Sequence, residues 1–292
     1  MFCKEHTIGS HLPAVKLIGA MAETPSMEEL RPAGGGPKAA RIDVLGCPFD
    51  VVDFEQTAAI IRSAALDDRQ LHVVTANVDF IMKAKRDPAF ARELADADLV
   101  VADGVPVLWA AKLLGRPLMG RVNGTDMVER CATMSAREGF GIALVGGGPG
   151  VAAKAATAMC TRHPGARITA VPTPARMENG DSGELARAVR ETDSAIVLVA
   201  LGAPRQERWL RRHLADTGCA VGIGVGSALD ILAGDRSRAP RVLREHGFEW
   251  LHRLALEPGR LGRRYLVEDS PFVFYLAAAV TRRYLGPPRR SA

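Results

Sequence analysis

From residue 42 onward, short runs that are almost wholly apolar alternate with longer segments whose apolar residues recur at helical spacing. The runs occupy residues 42–45, 71–74, 99–102, 142–145, 168–171, 196–201 and 220–223. The helical patterns between them cover 54–66, 80–94, 105–114, 126–137, 151–162, 184–191 and 205–214. Strands that are apolar at every position are covered on both faces, and single intervening helices are the crossovers that parallel strands require. The alternation predicts an α/β fold: a doubly wound, mostly parallel, Rossmann-like sheet.

Both ends of the chain depart from this rhythm. Residues 1–37 carry no sustained period, and Arg31-Pro-Ala-Gly-Gly-Gly-Pro37 reads as a flexible linker, so this part is expected to be a disordered leader. It lacks the basic, apolar and small-residue regions of a signal peptide. Strand signals stop at Ala239, which leaves a core over 38–237 and a helical, Arg-rich appendage over 238–292. The longest apolar run begins at Pro271 and ends at Val280, well short of the ~18 residues that span a bilayer. It is long enough to lie on a membrane surface.

Composition refines the picture in two ways. Five cysteines among 292 residues form no CxxC pair and no Cys/His cluster at zinc spacing, which fits a reduced cytoplasmic protein without a structural metal. The net charge of +5 is uneven: residues 236–292 hold twelve Arg and no Lys against five acids, and the rest of the chain is slightly acidic. A tail of that kind favours phosphate esters, nucleic acid or anionic lipid, or is simply a solvated helical surface. With three Trp and three Tyr, not interleaved with basic residues, a nucleic-acid stacking platform is not expected.

In an open parallel sheet, ligands bind beyond the carboxyl ends of the strands. Thr75 and Asn77 follow one run and Asp103 another, which makes these three the first candidates for chemistry. Gly146–Gly150, including Gly147, and the Gly222–Ser227 segment, including Gly226, each close a strand before a helix, as phosphate-cradling loops do. A tight turn without ligand explains the same glycines, and neither loop matches GxGxxG or GxxxxGK[ST]. Pro204 suits a first helical turn, which puts Gln206 near a strand end with an amide for a base or sugar, while Glu207 serves the helix dipole. Asn123 is a candidate binding residue that, like Thr125, is also a candidate helix cap, and Arg121 beside them has no such local duty and is available to an anion. Asp96 and Asp98 resemble a metal-binding DxD pair but precede their strand, on the wrong edge. His72, on an apolar strand, reads as a satisfied core residue.

Six segments occur here in the order found in one family: Thr75-Ala-Asn77, Ala102-Asp-Gly104, Arg121-Val-Asn-Gly-Thr-Asp126, Leu201-Gly-Ala-Pro-Arg-Gln-Glu207, Arg238-Ala-Pro240 and the stretch from Glu249 to Arg260. On these the chain resembles the WecG/TagA/CpsF glycosyltransferases over roughly residues 42 to 268. The resemblance implies inverting transfer of an N-acetylmannosamine-type sugar, its uronic acid, or glucose, from a UDP-sugar to a polyprenyl-diphosphate-linked saccharide, for a surface polysaccharide. It implies Asp103 as base, Thr75, Asn77, Arg121 and Gln206 in binding, and Arg253, Arg260 and Arg263 closing over the diphosphate at the inner face of the cytoplasmic membrane. No metal or other cofactor is expected, and a homo-oligomer is compatible with it. Pro106 replaces a glycine of the family's usual DGxG. A nicotinamide-dependent oxidoreductase would share the sheet but needs GxGxxG and a downstream acid; a non-catalytic nucleotide-binding regulator would have no use for Asp103.

Overall fold

The computed structural model describes residues 40–173, 183–240, 242–243 and 248–285. The leader expected over 1–37 lies outside them. Six strands form the central sheet: β3 (Leu71–Ala76), β4 (Leu99–Ala102), β5 (Gly141–Gly146), β6 (Arg167–Val171), β7 (Ile196–Ala200) and β8 (Val221–Gly224). Their order is β4-β3-β8-β7-β5-β6 and every pairing is parallel.

The run at 42–45 is the exception to the expected sheet. Arg41–Val44 (β1) pairs antiparallel with Cys47–Asp50 (β2) in a separate hairpin, whose two-residue turn holds Leu45 and Gly46 at φ 56° and 89°. An apolar run looks the same in either setting. The hairpin is fastened to the exposed side of β4: Asp50 accepts from the Val100 N–H at 2.7 Å and pairs with Arg41 at 2.8 Å. An otherwise open sheet edge is thereby closed.

Alternate side chains of each strand enter opposite layers, as the pleat requires. Leu71, Val73, Leu144 and Ile223 pack beneath α1 (Phe54–Leu66), α5 (Gly124–Glu138), α6 (Val151–Arg162) and α9 (Ala228–Leu232). On the other face, Val74 and Val100 meet α2 (Val78–Arg86), α3 (Pro88–Asp96) and α4 (Val105–Leu113), while Val145 and Val197 meet α7 (Gly183–Arg190) and α8 (Arg205–His213). The single helix expected over 80–94 is two. Pro88 cannot donate into a continuing helix, and Asp87 caps the second one by accepting from Ala89 and Phe90.

The C-terminal part is helical: α10 (Glu249–Leu256), α11 (Pro258–Arg263), a π-helical turn over Arg264–Glu268 and α12 (Pro271–Tyr284). Phe272, with Leu276 and Ala279 of α12, packs against the α2–α4 layer. Among the described residues, no helix is long and apolar enough to cross a membrane.

Candidate active site

The strand reaches two residues further than the apolar run, so Thr75 lies inside β3 rather than after it. Thr75 is buried and its hydroxyl donates to the Gly224 carbonyl at 2.8 Å, linking β3 to β8. Asn77 begins α2, its side-chain oxygen accepting from the Asp79 N–H at 3.1 Å. One strand over, the Asp103 N–H donates to the Ala76 carbonyl at 2.8 Å, which extends the β3–β4 ladder to the aspartate. Gly104 then turns the chain at φ 130°, a conformation that side chains rarely adopt.

Asn123 has a double duty. Its oxygen caps α5 by accepting from Thr125 and Asp126, and its amide nitrogen donates to Asp103 Oδ1 at 3.1 Å. The cap reading and the site reading of this residue are therefore one arrangement, because capping fixes the rotamer that aims the amide at the carboxylate.

Asp103 is half-buried, ringed by protein except where it faces the cavities. Loss of solvent pushes its pKa up to about 6; Arg253 and Arg121 oppose the rise, Glu249 adds to it, and the Asn123 hydrogen bond opposes it. Above about pH 6 it is a carboxylate with more proton affinity than a surface aspartate, the property a general base needs.

Two cavities meet at this carboxylate. The larger, about 920 Å³, runs past the ends of β3, β7 and β8 and is walled by Thr75, Gln206, Gly226 and Ser227. The smaller, about 340 Å³, lies between the start of α4 and the C-terminal helices, with Val105, Pro106, Trp250, Tyr265 and Phe272 in its wall. Asn77, Asp103, Asn123, Arg253 and Arg264 face both. A third cavity, about 460 Å³, is formed by the Gly146–Gly150 loop, Thr173 and Arg205, and adjoins the larger one at Gly147 and Arg205. Gly147 sits at φ 77°, and a β-carbon there would come within 2.6 Å of Val151.

Gln206 is nearly inaccessible, and its oxygen accepts from both the Gly202 and Gly226 N–H groups at 3.2 Å, tying together the loops after β7 and β8. Its nitrogen donates to Glu207 at 2.7 Å. Glu207 is the acidic residue of the first turn of α8, as expected, but the side chain is fully buried, one of its oxygens has no partner, and burial pushes its pKa up to about 7. Gly224 is required beneath this pair, since a β-carbon there would lie 2.6 Å from the Gln206 amide. His72 is buried as expected but not satisfied: its Nε2 has no partner, and burial pulls its pKa down to about 4. Asp98 accepts from the His72 N–H and Asp96 pairs with Arg211, so this acidic pair is structural and lies away from the site.

The arginines divide. Arg121 has a partner after all, Glu249 at 3.3 Å, and Glu249 also holds Arg253 at 2.8 Å. Arg253 lines both cavities, whereas Arg263 is 81% exposed and paired loosely with Glu268 at 3.7 Å. The side chain of Arg260 lies outside the described residues. Arg264, which sequence reasoning did not single out, takes the inward place and reaches Asp79 at 3.3 Å; Asp79 in turn binds Lys83 at 2.6 Å. Adjacent residues point about 100° apart on a helix, so which of the two arginines faces inward depends on how the helix packs and not on the sequence spacing. Asp79 and Lys83, or Glu249 and Arg253, were visible only as i,i+4 pairs of opposite charge, a pattern shared with solvated helix faces. Among the described residues, no group of three or more His, Cys, Asp or Glu is placed to hold a metal ion.

A parallel α/β core with a carboxylate at a strand end, between two cavities that share Arg253 and Arg264 in their walls, is an enzyme-like site where open sheets bind ligands. The chain matches the glycosyl transferase WecG/TagA/CpsF family over residues 42–285, belongs to that family, and is a glycosyltransferase. It is 27% identical over 246 residues, covering 84% of this chain and 94% of the relative, to the N-acetylglucosaminyldiphosphoundecaprenol N-acetyl-beta-D-mannosaminyltransferase of Staphylococcus aureus strain NCTC 8325 / PS 47. The same identity and coverage hold for the enzymes of that name from strains COL and MRSA252.

Proposed function

We propose that the protein transfers an N-acetylmannosamine-type sugar, its uronic acid, or glucose, with inversion, from a UDP-sugar to a saccharide on a polyprenyl diphosphate, in surface polysaccharide synthesis. The observation that carries this reading is the position of Asp103, held by Asn123 at the junction of two cavities of different character. The larger, lined by strand-end loops and polar groups, suits the nucleotide sugar. The smaller, with aromatic and aliphatic walls, suits the lipid-linked acceptor.

Inversion requires one in-line displacement. Asp103 takes the proton of the attacking hydroxyl as that oxygen bonds to the anomeric carbon, and the bond to the UDP oxygen breaks. Such general-base help is typically worth ~10²–10⁴ in rate. The departing diphosphate gains negative charge, which Arg253, facing both cavities, is suited to stabilise. Thr75 and Asn77 shape the sugar's side of the base.

The acceptor's lipid would come from the inner face of the membrane. Leu266, Val267, Val273 and Phe274 are each more than 60% exposed, and α12 ends in Arg282 and Arg283; exposed apolar groups together with basic ones suit an anionic bilayer. The reading is tested by incubating a panel of UDP-sugars with a polyprenyl-diphosphate monosaccharide. One UDP-sugar should give a disaccharide-lipid, and UDP should raise the Tm while NAD does not. Stabilisation by NAD and not by UDP would overturn the assignment.

A further inference from the structure

The smaller cavity is not cationic as it stands. Arg264 is taken by Asp79 and Asp269, at 3.3 and 3.4 Å. Arg121, from the loop before α5, and Arg253, from α10, converge on opposite oxygens of one carboxylate, Glu249. Glu249 and Arg253 are one helical turn apart, with the acid N-terminal, the favourable order for such a pair. The three side chains are 13–33% exposed and lie in the cavity wall beside Asp103. Two guanidiniums gripping one anion through charge-assisted bonds is the arrangement that a phosphate takes between arginines. With one carboxylate shared between them the pair keeps a single net positive charge and its donors are occupied, so a diphosphate gains less by entering unless the carboxylate gives way.

From this geometry we infer that Glu249 is a place-holding anion: it occupies Arg121 and Arg253 in the empty site and is displaced when a diphosphate ester binds. The inference rests on the proposed function only in taking a diphosphate as the ligand. Glu249 is suited to such an exchange. It is the first residue of α10, whose N-terminus has no side-chain cap, and its flexible side chain can swing away without unwinding a helical turn. Arg253 also donates to Ser227 at 3.4 Å, which keeps it in place when the carboxylate leaves. Glu249 thus acts through the arginines, as a positioning residue that keeps two partly exposed cations ordered and raises the threshold for weakly bound anions. It selects for ligands carrying more than a single charge.

The test is binding, by calorimetry at low salt, of inorganic pyrophosphate, farnesyl diphosphate and UDP to the full chain and to Glu249→Gln. The amide keeps the shape but not the charge, and should tighten diphosphate binding by roughly three- to tenfold, less than a full charge-assisted contact because the amide oxygen still accepts from one arginine. The gain should vanish in an Arg121→Gln background, since the freed cation is then missing. A gain for farnesyl diphosphate but not UDP places the exchange on the acceptor side; a gain for UDP places it on the donor side. Unchanged or weaker binding of all three by folded Glu249→Gln overturns the inference, because a merely structural tie predicts loss. Should that variant fold poorly, Glu249→Asp, which retracts the carboxylate by one methylene, should show a smaller gain of the same sign. Absence of sugar transfer by the native chain would refute the proposed function while leaving this result standing.

Discussion

The two walls of the site are built to different standards. On the sheet side, Thr75, Asn123 and Gln206 are at least nine-tenths buried, and each hydrogen-bonds to backbone: Thr75 to β8, Asn123 to the first turn of α5, and Gln206 to the loops after β7 and β8. On the appendage side, no residue of α10 or of the π-helical turn's helix face is buried, and α12 is anchored chiefly by Phe272. The first wall positions the base and the second brings the charge. A rigid wall suits a proton acceptor, whose geometry must be correct to fractions of an ångström. A loosely anchored wall suits groups that admit a lipid-borne substrate and part from it afterwards.

The sharpest way to break the comparison is to remove one wall. A chain ending at residue 240 should fold, because the core clusters draw almost wholly on residues before it, with a lower Tm from the uncovered Phe272 site. Transfer should fall to background, and sedimentation with anionic vesicles should be lost. Full turnover and vesicle binding by the truncated chain would show that the appendage is dispensable.

Within the rigid wall, Asn123→Ala removes a cap and the hydrogen bond to Asp103 together. Loss of a bond to a charged group is worth about 1.5–3 kcal/mol, so transfer should drop roughly ten- to hundredfold. Thermal melting should report about 1 kcal/mol from the cap alone. If activity falls no further than stability explains, the amide does not aim the base.

A smaller effect, of opposite sign, is expected beneath the site. Glu207, with a pKa near 7 in the folded chain, binds its proton more tightly there than when unfolded. Its contribution to stability is therefore present below about pH 4.5 and lost as pH rises through 7. Glu207→Gln keeps the bond from Gln206 and avoids the buried charge. Its Tm should exceed the native value by a few degrees at pH 8, by roughly ΔΔG over the unfolding entropy, and match it near pH 4. Equal melting at both pH values would show that Glu207 is not an ionisable burden on the core.

The same contrast governs what could be read from residues alone. The sheet wall was legible because strand ends are marked twice, by the close of an apolar run and by the polar group that follows, as at Thr75, Asn77 and Asp103. The break at Asp87-Pro88 was equally legible in chemical terms, a cap followed by a residue without an N–H, but a continuous apolar period hid it. The appendage wall was not legible. Arg263 and Arg264 are adjacent and chemically identical, and only the packing of their helix on α2 decides that Arg264 faces Asp79. Glu249 looks like any solvated partner of Arg253 until Arg121, more than a hundred residues earlier, closes on it.

The central claim is that Asp103 removes the acceptor's proton. It is tested most directly by Asp103→Asn, with sugar transfer and UDP binding measured on the same preparation. The claim predicts transfer reduced by ~10²–10⁴ with UDP binding retained, and an acid limb near pH 6 in the native enzyme that the variant lacks. Transfer close to the native rate by the folded variant would contradict it.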